Sequence, residues 1–506
     1  MASILERYAK QISGVLSCYD RIVIAGTLPG VCHAGGMSAF IASKGFRIFD
    51  YTRFAEPLRD EIRANAERVA KENGLEIEYI RSVHAFRKED RVQEILKGRG
   101  NHPGLVHVFS AMEPCSSFMP WHDKQTGRTQ LRFKEAKCLH YYFYFIDSDF
   151  GLCYLRVPTW APFRLQFYCN GHNWLAGQLR QEGIAFAQVD NTFIHARDWA
   201  KAQAIADAFP VERLHRALDG FVQRYCPVAR QFPNTYHWSL VQAEYATDIA
   251  FHTQEDLRPL YEHLTRTAIH TVKPDRVATF LGRKLDGRYR DELGNGFHTR
   301  VEGTCIKHHM GPASIKLYDK YGLVLRIETT VNDIRFFRHH RTVEHRDGTK
   351  ETKVAPMRKS IYSLSPLREL LLAANRRYLE FLSDLDDPSA GMRDAEKLSN
   401  PVNKNGRTYR GFNLFSQEDF ASILALMRGE GVISGITNRL LRRTLTGKTG
   451  PQISRLLKRL RLHGLIRKVG NTYKYYLTRS GRKVLLTALK LREFVVIPSL
   501  AGLNVA

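Results

Sequence analysis

The chain lacks any apolar run approaching the roughly 18 to 20 residues that a membrane helix requires, so no membrane partner is expected. Its first residues, Met1 to Arg7, lack the apolar core of a secretory signal, and the expected location is cytoplasmic. The eight cysteines (Cys18, Cys32, Cys115, Cys138, Cys153, Cys169, Cys226 and Cys305) form no C-x-x-C pair. That argues against a zinc ribbon or a disulfide framework, and ordinary core thiols are expected. Gly26, Gly30, Gly35 and Gly36 fit neither G-x-G-x-x-G nor a Walker loop, so no nucleotide cofactor is expected.

Acid is the scarce charge. Against 76 Lys+Arg stand 51 Asp+Glu, a net +25 over 506 residues, and +16 of that falls from Lys404 onward. A cationic surface of this kind concentrates phosphate backbones around it, so a nucleic acid is the expected partner, DNA before RNA. The hydrophobic fraction of 43%, with 28 Phe and 22 Tyr, excludes a disordered chain. The length predicts about three domains at roughly 150 residues each.

The patterning predicts an α+β multidomain protein. Residues 1–111 read as a small α/β unit: helical spacing from Ile4 to Val15, a β-like run Arg21 to Gly26, a charged helix Ala55 to Asn73 stopped by Gly74, then strands Ile77–Ile80 and Leu105–Phe109. Residues 112–385 read as an α+β body with antiparallel hairpins. In it Leu139–Ile146 turns through Asp147–Gly151 into Leu152–Val157, and Ala313–Lys320 turns through Tyr321-Gly322 into Leu323–Thr330. The two hairpins echo one another, through duplication or coincidence. Aromatic runs such as Leu139–Ile146 and Phe163–Tyr168 serve either as core or as stacking platforms for bases. Residues from about Trp199 to Leu285 read as mainly helical, which would set Glu244 and Asp248 on one helix face, and Pro366 to Leu385 is helical again. A linker covers 386–411, a separate module 412–495 and a tail 496–506.

In that module Ser416-Gln-Glu-Asp-Phe420 predicts a helix start, since Ser caps and the acids suit the positive end of the dipole, with the helix running to about Gly429. A second helix spans about Thr437 to Leu445. Pro451 then opens a third, Gln452 to His463, with Gly464 past its end. Ile453, Leu456, Leu457 and Leu460 make one apolar stripe, which turns Gln452, Ser454, Arg455, Lys458, Arg459 and Arg461 toward solvent. Leu465–Val469, the turn Gly470-Asn471 and Thr472–Leu477 predict a two-stranded hairpin, followed by a helix running toward Glu493. The order helix, helix, helix, hairpin, helix resembles the winged-helix DNA-binding domains of MarR-like and ArsR-like regulators. That resemblance implies that 452–461 enters the major groove while Arg467, Lys468 and Lys474 touch phosphates or the minor groove.

In the body, Ser314–Lys320 followed by Leu325-Arg-Ile-Glu328 resembles a stretch of rolling-circle replication initiators, over about 15 residues. The resemblance implies a metal-dependent site with Mg²⁺ or Mn²⁺ held by Asp319, Glu328 and His308, phosphate bound by Lys316 and Arg326, and Tyr318, Tyr362 or Tyr378 as candidate nucleophile. Strand alternation puts Lys316, Tyr318 and Lys320 on one face, and Arg326 and Glu328 on one face of the next strand. The His-hydrophobe-His triplet of those enzymes is absent. His308-His309 and His339-His340 are adjacent pairs pointing to opposite faces. The alternative for Asp319, Arg326 and Glu328 is a structural ion-pair network. Taken whole, the chain resembles a group of large prokaryotic proteins that brings no site residues with it.

The leading expectation is a DNA-binding protein whose winged helix finds the site and whose body processes a strand, in a replication-initiator or transposase-like role on a mobile element. The rivals are a non-enzymatic transcriptional regulator with a ligand-sensing or oligomerising body, and an RNA-binding protein.

Overall fold

The computed structural model describes residues 4–81, 86–272, 274–283, 297–302, 305–386, 398–413, 416–427 and 435–491. The expected tail, residues 387–397 of the expected linker, and Gly429 and Glu493 as helix ends lie outside the described residues. The protein is mixed α+β, with mostly antiparallel sheet, and none of its described helices is long and apolar enough to cross a membrane. Two compact units divide the chain, one of residues 1–16, 246–330 and 369–506, the other of 17–245 and 331–368.

In the second unit the strand that begins at Ile12 and ends at Thr27 is followed across the sheet by Leu165–Cys169, Gly151–Pro158, Thr129–Asp147, Gly104–His122 and Ile77–Ile80. All these pairs are antiparallel except the last, where Ile77–Ile80 runs parallel to Gly104–His122 with the helix Lys88–Arg99 as its crossover. The expected helix over Ile4–Val15 shrinks to Ile4–Arg7, and strand begins at Ile12. Gly14 disfavours helix and the apolar residues that follow suit a sheet buried on both faces.

The aromatic runs are core. Phe143 and Phe145 stack on Tyr225 at 4.6 and 5.4 Å, and Phe167 stacks on Phe221 at 5.7 Å, so the helix Val211–Tyr225 covers the face on which bases would have to stack. The helix Gly171–Gln181 follows the strand Leu165–Cys169, with Asn170 accepting the His172 amide as its cap. The helical reading of 199–285 fails in its middle: His237–Phe251 is a 15-residue strand. Its apolar and aromatic residues repeat densely enough to satisfy either period, and burial along its length decides for sheet.

In the first unit the strands Phe297–Glu302, Cys305–Met310, Ala313–Lys320 and Val324–Val331 follow one another as neighbours, and the last of them adjoins the strand that ends at Phe251. The first three meet as antiparallel hairpins in the register His308 to Ile315 and Lys307 to Lys316. Both expected turns use the same chemistry. The Asp147 carboxylate accepts the Asp149 and Phe150 amides before Gly151 at φ 66°, and Asp319 accepts the Gly322 amide beside Tyr321 at φ 58° and Gly322 at φ 70°. The echo between the two sequences thus extends to the chemistry of their turns.

The same unit carries the helix Leu364–Asp386 from Glu369 on, and then Gln417–Leu426, Asn438–Thr444, Gly450–Leu462, the short hairpin Ile466–Lys468 with Tyr475–Leu477, and Arg479–Leu491. Thr449 and Gln452 form a reciprocal capping box at the start of Gly450–Leu462, with Pro451 in its first turn. Ile453, Leu457 and Leu460 of the expected stripe are buried, and Leu456 is half-buried.

Candidate functional site

Two clusters of the first unit hold the residues singled out in the sequence. The hairpin Ala313–Val331 does pair Lys316 and Tyr318 on one face, and their common partner is Glu328: the ammonium lies 2.5 Å from one carboxylate oxygen and the Tyr318 hydroxyl donates to the other at 2.6 Å. Arg326, fully buried, makes a two-pronged pair with Asp248 at 2.6 and 2.7 Å. A planar guanidinium meeting a carboxylate in this way is the strongest geometry such a pair adopts, and burial makes either partner costly to remove. Arg326 is therefore held by a structural carboxylate, against its expected role as a phosphate ligand.

Asp319 and His308 do not join Glu328. The Asp319 carboxylate closes the turn at Gly322. The His308 imidazole is fully buried with both ring nitrogens engaged, one with the Thr299 hydroxyl at 2.9 Å and the other with the Tyr378 hydroxyl at 3.1 Å. Burial, assisted by the neighbouring His309, pushes its pKa down to about 4, so it is neutral at pH 7 and satisfied by hydroxyls. As expected from alternation, His308 is buried while His309 is only half-buried. Tyr378 is enclosed, and burial pushes its phenol above the ordinary range; Tyr362 is exposed and bonded to His215 at 2.8 Å.

In the second unit the buried Asp20 and the half-buried Glu244 offer carboxylate oxygens within 4.8 Å of one another. Oxygen-only donors of this kind suit Mg²⁺ or Mn²⁺. Neither belongs to the ligand set expected from the sequence. Asp20 sits inside an apolar strand, where a buried acid was the available signal. Glu244 was noticed as half of a helical pair; it lies on a strand, on which i and i+4 also share a face.

The second cluster is cationic and exposed. On Gly450–Leu462 the residues Gln452, Ser454, Arg455, Lys458 and Arg461 face solvent, and Arg467, Lys468 and Lys474 of the hairpin do the same. The Gln452 carbonyl accepts the Thr449 amide at 2.7 Å, Ser454 accepts from Asn438 at 2.9 Å, and Lys458 lies over the Tyr409 ring at 5.5 Å. Arg459 is different. It turns inward, donates to the Arg410 and Gly411 carbonyls, pairs with Asp419 at 3.0 Å and lies 3.7 Å from the Phe412 ring centroid. Burial alone would raise the Asp419 pKa, and the hydrogen bonds from Arg459 and the Asn413 amide bring it below the ordinary carboxylate value. Arg459 thus fastens the helix to the preceding segment, and its expected place on the solvent face is corrected. Sequence reading also missed Arg439, Arg442 and Arg443, exposed on Asn438–Thr444.

No protein-family model, curated protein or solved structure matches this chain.

Proposed function

We propose that the chain is a nucleic-acid-binding protein whose segment 435–491 acts as a winged helix on duplex DNA. The observation that carries this reading is the row of exposed cations on Gly450–Leu462, Arg455, Lys458 and Arg461, with the cationic hairpin close behind it in sequence. Its apolar stripe is turned inward, so the polar face is available to a groove wide enough for a helix. Arg467, Lys468 and Lys474 contact phosphates, and Arg439, Arg442 and Arg443 extend the same attraction. Replacing Arg455, Lys458 and Arg461 together by Glu lowers duplex affinity and flattens the salt dependence, each phosphate contact contributing about −0.9 to the log-log slope. Retention of duplex DNA with an unchanged slope removes the assignment.

A second reading is favoured by the carboxylate pair of Asp20 and Glu244: the body cuts or transfers a DNA strand with Mg²⁺ or Mn²⁺, in a replication-initiator or transposase-like role. Nicking of supercoiled plasmid that requires the metal and disappears in Asp20→Asn and Glu244→Gln supports it. Absence of nicking on plasmid and on single strands leaves a transcriptional regulator as the working description.

A further inference from the structure

The first unit contains a cavity of about 100 Å³ with features that neither reading above uses. Its walls are apolar: Phe280 and Phe381 on one side, Leu477, Leu485 and Leu486 on the other. Three arginines, Arg276, Arg377 and Arg482, also line it, with Glu380 the one acidic lining residue among the described residues. A void filled only by packing error would have no reason to gather three cations.

The cations are satisfied in different ways. Arg276 donates to the Met427 carbonyl at 3.1 Å, a neutral acceptor. The Nε and Nη2 atoms of Arg377 both donate to the Phe280 carbonyl, at 2.8 and 2.6 Å, so two of its donors converge on one neutral oxygen. Burial pulls the Arg377 pKa below its ordinary value, and Glu380, one helical turn further on, supplies the opposing charge. Arg482 pairs with Glu380, and both side chains of that pair remain partly open to water. Solvated pairs of this kind are worth little and exchange partners readily, whereas a charge-assisted bond to a guanidinium in an apolar wall is worth more.

We infer that this cavity binds a small amphiphilic anion, a carboxylate or phosphate ester carried on a short apolar body. The anionic head takes Arg482 from Glu380 and shares the field of Arg377, while the apolar body lies between Phe280, Phe381 and Leu486. A void of 150 Å³ lined by apolar side chains accommodates the six carbons of benzene, so this smaller one encloses an apolar body of about four to five carbons, with the charged head at the partly open side where Arg482 meets Glu380. The inference stands apart from nucleic-acid binding and is tested without it.

The probes are hexanoate, hexanol and hexylammonium, which share one apolar body and differ in the charge of the head. They are titrated against the full chain by ligand-observed NMR. Hexanoate is expected to bind saturably in roughly the millimolar range, the limit set by so few atoms. Hexanol binds at least about tenfold more weakly and hexylammonium not at all, since a charged hydrogen bond of this strength corresponds to about tenfold or more in affinity. Arg482→Gln weakens hexanoate by about tenfold, and Glu380→Gln strengthens it by removing the competing carboxylate. Both substitutions lie at a partly exposed pair, and an unchanged circular dichroism spectrum verifies their fold. Equal binding of hexanol and hexanoate, no effect of Glu380→Gln and Arg482→Gln, or no saturable binding of hexanoate at any tested concentration overturns the proposal.

Discussion

The hairpin Ala313–Val331 and the helix Gly450–Leu462 both read in sequence as cationic surfaces, and the fold treats them in opposite ways. In the hairpin, Arg326 and Lys316 end on Asp248 and Glu328, with Arg326 and both carboxylates buried and Lys316 half-buried. On the helix, Arg455, Lys458 and Arg461 face water, and Arg459 alone is drawn inward to Asp419. The difference follows from the element. Every residue of Val324–Val331 is buried, so a charge there has to bring its own counter-charge. A helix on a surface buries only one stripe and leaves its other faces wet. A count of cations along a sequence therefore overstates what is available to a polyanion wherever the strand is interior.

The contrast breaks most visibly at its buried end. Asp248→Asn leaves the Arg326 guanidinium with a neutral partner in a dry site, and the expected loss is about 3 to 5 kcal/mol of unfolding free energy by denaturant titration. A loss below about 1 kcal/mol would mean that the site is wetter than its burial indicates, and the comparison would fail there. Next comes the exception within the helix. Arg459→Gln removes charged hydrogen bonds to Asp419 and two carbonyls, at a cost of about 2 kcal/mol in stability, while the salt dependence of duplex binding stays that of the unsubstituted chain. A flatter slope in Arg459→Gln would place Arg459 on the nucleic acid after all.

The effect spread most thinly, over several pH units, concerns His308. Burial holds the His308 pKa down to about 4 in the fold against an ordinary 6.5, so between these values the unfolded chain binds more protons than the folded one. Its contribution to stability is whole above about pH 6.5 and is lost as the pH falls toward 4, by about 1 kcal/mol per pH unit within that window. His140 is likewise pushed down to about 4, by burial and by Arg156, and acts in the same direction. Substituting His308→Gln is expected to flatten the dependence of the denaturation midpoint on pH between 4 and 6.5. An unaltered profile would show that His308 is not held neutral.

Much of the C-terminal module was legible. Pro451, Gly464 and the stripe of Ile453, Leu457 and Leu460 are local signals, because helix capping and one-sided burial are decided within a few residues. The turns at Asp147 and Asp319 were legible for the same reason. The strand His237–Phe251 was not, since a dense apolar segment satisfies a helical and a strand period alike and only its neighbours choose. The carboxylate pair was not legible: Asp20 and Glu244 lie 224 residues apart, and proximity across such a separation leaves no trace in spacing.

The sequence by itself determined where this chain is cationic, where it turns and caps, and that it carries mixed α+β elements with no apolar span of membrane length. Those properties depend on residues within one or two turns of each other. Tertiary structure alone decided which charges are neutralised: that Arg326 belongs to Asp248, that Arg459 belongs to Asp419, and that His308 is satisfied by Thr299 and Tyr378. The physical reason is desolvation. A buried charge is tolerated only beside its partner, and the partner is supplied by whatever strand or helix the packing of the whole unit brings next to it.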